Sequence, residues 1–406
     1  MTTLTHGSSA LAYPTVQESL RTYDTEFARV PETNEYCCDS ASKSFGEISD
    51  MLTFLLEREG KAEWITGQEN HALEVALLED SDIPTTKPAI SADTARGTKL
   101  VLTGSKQETT AIRDCAIPTL QDRAQISGSA LKRVAPDVLR DIINDCLNVA
   151  NKNSTCKIRI ADDKVSAVMS SEYVPLPMPE IFQAATEYIQ TRFPRNTFAA
   201  GYWNHSITTA EWELSGETSL VKSYTDALKR HGIDTEDAPV RPGLRLSSSD
   251  IGISGVNLVP KLVVGKDRLL LPLGKAVGLE HKGNASMSRF LENLDGVFAI
   301  YSECLKDLTA LLDVHINYPA GCMEAVLKQL GIAQKYAKPV LEVFERAFDD
   351  DNTCTAHDIY YGLGELFMQA QIHGLTGEAA LRFEESVAKA LTLNFRHYDK
   401  PKKESR

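Results

Sequence analysis

"RPGLRLSSSDIGISGVNLVPKLVVGKDRLLLPL", residues 241–273, alternates apolar and polar positions in two runs that break on Ser248, Ser249 and Asp250. Leu244 and Leu246 alternate with Arg245 and Ser247, the period-two signature of a strand with one buried face. The apolar phase resumes on Ile251 and Ile253. A one-residue slip turns every later side chain to the opposite face, so the interruption predicts a bulge or a turn. A binding site would produce the same polar knot. Further turns are expected at residues 252–255 and 265–267. Pro260 and Pro272 cannot donate to a ladder and mark bulges or sheet edges.

Strand signals continue upstream. "CKIRIADDKVSAVMSS" (156–171) alternates before and after Asp162-Asp163 and predicts a hairpin, and "TFAAGYWNHSITTAEWEL" (197–214) predicts a second one turning near Asn204-His205. Around these hairpins, residues 117–126, 136–152, 179–193 and 217–232 have helical spacing. Pro136 suits a first helical turn, and Gly232 lies just past an end. Residues 46–60 form a further short amphipathic helix. Phe290, Leu294, Val297, Tyr301, Leu305, Leu308 and Leu312 step by three and four, which predicts one long helix, and helical patterns continue to the C-terminus. The fold class is therefore α+β: an antiparallel β-sheet core with flanking helices, followed by an all-helical C-terminal domain. Expected boundaries are an acidic N-terminal arm and helical cap (1–100, with a polar linker over 81–99), an α+β core (101–285) and a helical domain (286–406).

Composition narrows the class. With 406 residues, 42% of them hydrophobic, the chain can bury a large core, and no stretch has the roughly eighteen consecutive apolar residues of a membrane span. "MTTLTHGSSALAYP" has neither a basic start nor an apolar core, so it does not resemble a signal peptide. Eight scattered cysteines without a Cys-x-x-Cys pair fit a reducing cytoplasm. The net charge of −13 is uneven: residues 1–100 carry 8 basic and 17 acidic groups, residues 101–200 carry 12 and 11. Acidity overall argues against nonspecific coating of DNA, although local patches decide binding.

Four motifs lie in a suggestive order: "APDVLRDIIN" (135–144), "KIRIADDKVSAVMSSEYVPL" (157–176), "GLRLSSSDIGISG" (243–255) and "LEHKGN" (279–284). Over roughly residues 110–290 the chain resembles the phage/plasmid-like protein family, the domain of unknown function 932. The Cys-x-Asn-Gly common after that family's second strand is replaced here by Val264-Gly265-Lys266-Asp267. The resemblance implies a protein of a mobile genetic element and carries no catalytic residue. In outline the order of hairpins and helices is also similar to phage single-strand annealing recombinases, a likeness of fold alone.

No phosphate loop, dinucleotide fingerprint or His-Glu-x-x-His is present. Ser129-x-x-Lys132 has a nucleophile's spacing but lacks the Ser-Asp-Asn and Lys-Thr-Gly partners, and reads as a helix N-cap. Cys354 and His357, one turn apart, lack a second ligand pair, so no metal and no cofactor are expected. A polar rim is expected from Ser170, Ser171 and Tyr173 at one hairpin end, with Ser247, Ser249, Asp250, His281 and Asn284 from neighbouring strands. Its alternative is a bulge in which Arg245 pairs with Asp250. Residues 261–289 hold six basic groups against two acidic ones. If residues 156–171 and 241–281 share one sheet, Arg159, Arg245, Lys261, Lys266, Arg268, Lys275 and Lys282 would track phosphates beside the rings of Tyr173, Tyr202 and Trp203. Edge lysines that merely block aggregation would look the same. The expectation is a cytoplasmic single-stranded nucleic-acid binder of annealing type, homo-oligomeric and with no membrane partner. The alternative is a non-enzymatic factor that engages a host protein through its acidic N-terminal part.

Overall fold

The computed structural model describes residues 39–78, 98–102, 108–150, 153–233, 235–236, 238–265, 268–274, 276–348 and 353–402. In chain order come β1 (Ser42–Phe45), α1 (Ile48–Glu59), β2 (Ala62–Glu69), β3 (Leu73–Leu77), β4 (Thr98–Leu102), β5 (Glu108–Ile112), α2 (Ala116–Arg123), α3 (Pro136–Asn148), β6 (Thr155–Ala161) and β7 (Lys164–Ser170). Next are α4 (Met178–Arg192), β8 (Thr197–Asn204), β9 (Thr208–Glu213), α5 (Thr218–Arg230), β10 (Val240–Ser248), β11 (Val256–Val264), β12 (Leu269–Pro272) and β13 (Val277–Leu279). The C-terminal helices are α6 (Met287–Leu294), α7 (Val297–Ala310), α8 (Pro319–Gln329), α9 (Gln334–Ala347), α10 (Ala356–Gly362), α11 (Glu365–Ile372) and α12 (Gly377–Ala388). A two-residue bridge, β14 (His315–Ile316) with β15 (Cys354–Thr355), ties them together. The chain is an α+β protein, as its patterning predicts.

The first sheet runs β2-β6-β7-β5-β4-β3, antiparallel except for the parallel β5–β7 pair. Following these pairings, β2 and β3 point the same way and are joined only by Asn70–Ala72. Flat, five strand spacings of about 4.8 Å would separate them by about 24 Å. The connection reaches at most about 14 Å. The sheet therefore curls until β2 and β3 act as one bent strand that pairs with β6 in its first half and β4 in its second. The result is a five-stranded Greek-key barrel with α2 and α3 inserted between its third strand, β5, and its fourth, β6. Leu73, Val75, Ile158, Ile160, Val165 and Val168 fill it from the strands, and Leu120, Leu139, Ile143 and Leu147 close it from the helices. Asn144 on α3 finishes the edge: its side chain accepts from the Val75 N–H and donates to the Val75 carbonyl, both at 2.8 Å.

The second sheet runs β1-β8-β9-β10-β11, with β12 and β13 sharing the far edge of β11. Pro260 sits in the gap between those two short strands, where no donor is needed, and its carbonyl accepts from Leu273. Pro272 ends the edge strand β12. One hydrophobic core joins this sheet to α1, α4, α5 and the C-terminal helices, and runs from Phe45 to Phe395. We call this second assembly the body.

Several expectations change. Residues 156–171 and 241–281 lie in different sheets. The expected boundary at residue 100 falls inside β4, and residues 62–77, expected in a helical cap, are strands of the barrel. The chain crosses the expected boundary at residue 285 without a break in the body core. The single helix expected from Phe290 breaks at Asp295-Gly296 into α6 and α7, although Phe290, Leu294, Val297, Tyr301, Leu305, Leu308 and Leu312 are all buried. Most of the 81–99 linker and the first 38 residues lie outside the described residues. Among the described residues no helix is long and apolar enough to cross a membrane.

Candidate functional site

Charged side chains gather where the barrel meets the body. Asp162 and Asp163 have φ of +49° and +61°, the left-handed pair that a two-residue hairpin turn needs to follow strand twist. That tight turn aims Asp162 at Arg58 of α1, which donates at 2.5 Å, and at Arg113, which donates at 3.4 Å. The Arg58 guanidinium also lies 4.3 Å from the Trp203 ring centroid, a cation–π stack. Arg113, just past β5 and fully buried, also donates to Asp39 at 3.3 Å and to the Ala161 carbonyl at 3.3 Å, and lies 3.0 Å from His205 Nε2. Lys164, at the start of β7 and likewise buried, lies 3.9 Å from the same Asp39 oxygen.

Arg159 of β6 extends this seam. Its Nη2 lies 3.0 Å from Asp250 and 3.4 Å from Glu59, and Nη1 donates to Ser166 at 3.3 Å. Burial opposes its charge, but Asp250 and Glu59 outweigh burial and raise its pKa. Glu59 is itself pushed up, first by burial and then by Asp250. Burial lifts Asp39 furthest, to about 6, against the downward pull of the Asp114 N–H, Lys164 and Arg113. Arg58, Glu59, Arg159, Trp203, His205 and Asp250 line a cleft whose internal volume of about 20 Å³ holds one water and little else. As folded, the seam is a lock and has no room for a substrate.

A ring column closes one end. Tyr173 stacks on His281 with centroids 5.3 Å apart and planes 9° apart, and meets Trp64 of β2 at 5.5 Å with the rings tilted by 30°. Its hydroxyl donates to the Asp250 carbonyl at 3.1 Å, and its own carbonyl accepts from Lys157 at 2.5 Å. His281 contacts the Val174 carbonyl through Nδ1 at 3.3 Å and Ser248 through Nε2 at 3.4 Å, and burial lowers its pKa.

The polar knot is thus answered twice. Ser249 closes a turn, accepting from Ile251 and Ile253 and donating to Ser206 at 2.7 Å. Asp250, inside that turn, reaches across to the barrel. Tyr173, Ser249, Asp250, His281 and Arg159 do converge, although on two sheets and not one. Ser170 and exposed Ser171 end β7, Ser247 is buried, and exposed Asn284 accepts from Arg289. The expected Arg245–Asp250 pair does not form, because Arg245 faces the opposite way, beneath α12, where it pairs with Glu384.

The basic face expected on residues 241–282 is mostly internal. Arg245 is 4% exposed and Lys261 3%; Lys261 pairs with Glu211, and Arg268 pairs with Glu213. Arg245 and Lys261 are turned inward onto carboxylates of α12 and of β9, two strands from β11, so these two are unavailable to phosphates in this fold, whereas the Arg268 side chain stays 56% exposed. Lys282 is exposed, and Lys266 and Lys275 lie outside the described residues. Ser129 begins an exposed 3₁₀ turn (Ser129–Lys132) whose N-cap position is Gly128, so Ser129 is not the expected N-cap. His357 is buried with Nε2 2.6 Å from the Tyr224 hydroxyl. Among the described residues no three His, Cys, Asp or Glu side chains are placed to hold a metal. Sequence reading missed Arg58, Arg113, Lys164, Asp39 and Glu59. Arg113 and Lys164 stand at the ends of strand patterns, and Arg58 and Glu59 end the amphipathic helix expected over 46–60.

Compared with protein-family models, curated proteins and solved structures, the chain matches none. The likeness to the phage/plasmid-like family rests on the motifs alone.

Proposed function

We propose that this protein binds single-stranded nucleic acid through its barrel. The observation that carries the reading is the strand path: a bent first strand pairs on both sides, the third and fifth strands run parallel, and helices enter between the third and fourth. Five-stranded Greek-key barrels of this kind bind oligonucleotides and oligosaccharides on the face of strands two and three and their adjoining loops. Those two strands are β4 and β5, and the run of sequence from the start of β4 to just past β5, residues 98–113, holds Lys99, Lys106 and Arg113 against Glu108. In a chain of net charge −13 this is a local cationic stretch, and phosphate contacts follow local charge. The motif likeness to phage and plasmid proteins, and the free cysteines among the described residues, support a mobile-element protein of a reducing cytoplasm.

The test is fluorescence anisotropy of a labelled oligothymidylate across a salt series. Binding at low salt, and a salt slope flattened by about 1.4 when Lys99→Gln and Lys106→Gln are combined, supports the barrel. Absent binding, or a slope indifferent to both changes, overturns it.

A further inference from the structure

We propose that Asp39, Glu59 and Asp250 are a built-in phosphate mimic, covering a cationic stripe that the barrel offers to the nucleic-acid strand when the seam opens. This rests on the nucleic-acid reading above and adds its regulation.

Polarity across the seam is the first support. Arg113, Lys164 and Arg159 belong to the barrel, while Asp39, Glu59 and Asp250 all come from outside it. Asp39 sits between Arg113 and Lys164, using one oxygen for both at 3.3 and 3.9 Å, as a phosphate oxygen between two cations would. Arg58 of α1 reaches in the opposite sense, to Asp162 of the barrel turn.

Position is the second. Arg113 directly follows β5, its N–H bonding to the Val165 carbonyl, and Lys164 of β7 is the register partner of Ala111. Arg159 lies one strand further, on β6, opposite Ala167. The stripe therefore continues the cationic stretch of strands two and three across strands five and four.

The third support is what holds the seam shut. Barrel and body have separate hydrophobic cores, and buried ion pairs lie between them. A buried ion pair gains little net stability over apolar packing, because desolvation offsets the attraction. Carboxylates held against cations can be exchanged for phosphates at small net cost, whereas an apolar interface would have no such exchange partner.

The experiment compares wild type with the Glu59→Gln, Asp250→Asn double variant, using the labelled oligothymidylate. Both replacements keep a hydrogen-bond acceptor for Arg159 but remove its counter-charge. The double variant should bind about tenfold more tightly, the scale of one charge-assisted hydrogen bond. Adding Arg159→Gln should abolish that gain. If wild type binds and the double variant binds no more tightly, the mimic is overturned while the nucleic-acid reading stands. If neither binds, the nucleic-acid reading itself falls. Should the double variant fail to fold, hydrogen exchange on wild type decides. Saturating oligothymidylate should speed exchange of the amides at residues 250–253, which close the knot at the seam, and unchanged exchange there overturns the proposal.

Discussion

Arg159 and Asp250 meet at 3.0 Å although Arg159 belongs to the barrel and Asp250 to the turn after β10 in the body. Arg159 is 7% exposed, so its charge depends on this contact and on Glu59. Asp250→Ala removes the nearer partner and leaves the guanidinium buried with one carboxylate at 3.4 Å. Stability should fall by about 2 kcal/mol, below the cost of a fully orphaned buried charge because Glu59 remains. Urea denaturation measures it. A change within about 0.5 kcal/mol would mean the pair is solvated.

Arg245→Ala separates structural from phosphate-binding roles. The side chain lies beneath α12 against Glu384, whose carboxyl burial pushes upward and Arg245 pulls down. Without Arg245, Glu384 is a buried carboxylate with a weakened counter-charge, and stability at neutral pH should fall by about 3 kcal/mol. The loss should shrink as pH falls, because the folded variant then takes up a proton on Glu384 before the unfolded chain does. Oligonucleotide binding should keep its salt slope. A flattened slope would return Arg245 to the phosphate-contacting surface.

How much was legible follows from where each signal lies. The 241–273 alternation, the Asp162-Asp163 turn and the Asn204 turn are local patterns, and each appears as a strand or hairpin in its expected place. The barrel was hidden because its first strand is interrupted: Ile65 and Val75 face the same core but are separated by the bend at Asn70–Ala72. "LEVAL" (73–77) alternates correctly, yet five residues gave too short a run to stand out. The partner choices were not legible at all. Arg245 and Arg159 each have the pattern of an outward strand cation, and only tertiary packing shows that Glu384, 139 residues away, and Glu59, 100 residues away, cover them.

Asn144 tests the barrel's closure. It sits on the buried side of α3, where a leucine would be ordinary, and supplies the Val75 backbone with the donor and acceptor that a neighbouring strand would give. Asn144→Ala leaves both groups without that partner and should cost about 2 kcal/mol. Hydrogen exchange read on residues 73–77 should quicken there before it does in β10 or β11. Uniform acceleration across both sheets would mean that barrel and body unfold as one unit.

The last prediction concerns acid stability and His357. Burial, ahead of every neighbour, holds its imidazole down at about 4 against an ordinary 6.5, opposed by Asp358 and reinforced by His231. The Tyr224 hydroxyl is 2.6 Å from Nε2, and the two share a hydrogen bond that the neutral ring can make. As pH drops through 6.5 the unfolded chain binds a proton that the folded protein refuses until about 4. Stability contributed by His357 is therefore whole above 6.5 and lost across that window, by roughly 3 kcal/mol in total. Asp39 works in the other direction: its carboxyl, raised to about 6, takes up a proton in the folded state first and adds stability as pH falls toward 3.8. The wild-type curve alone therefore understates the histidine. His357→Gln keeps an acceptor for Tyr224 and removes the titration, so its urea-derived stability should decline by about 3 kcal/mol less than wild type between pH 6.5 and 4. Parallel curves for the two proteins would show that the ring is already charged or solvated in the native state, and would reopen Nε2 as a ligand beside Cys354.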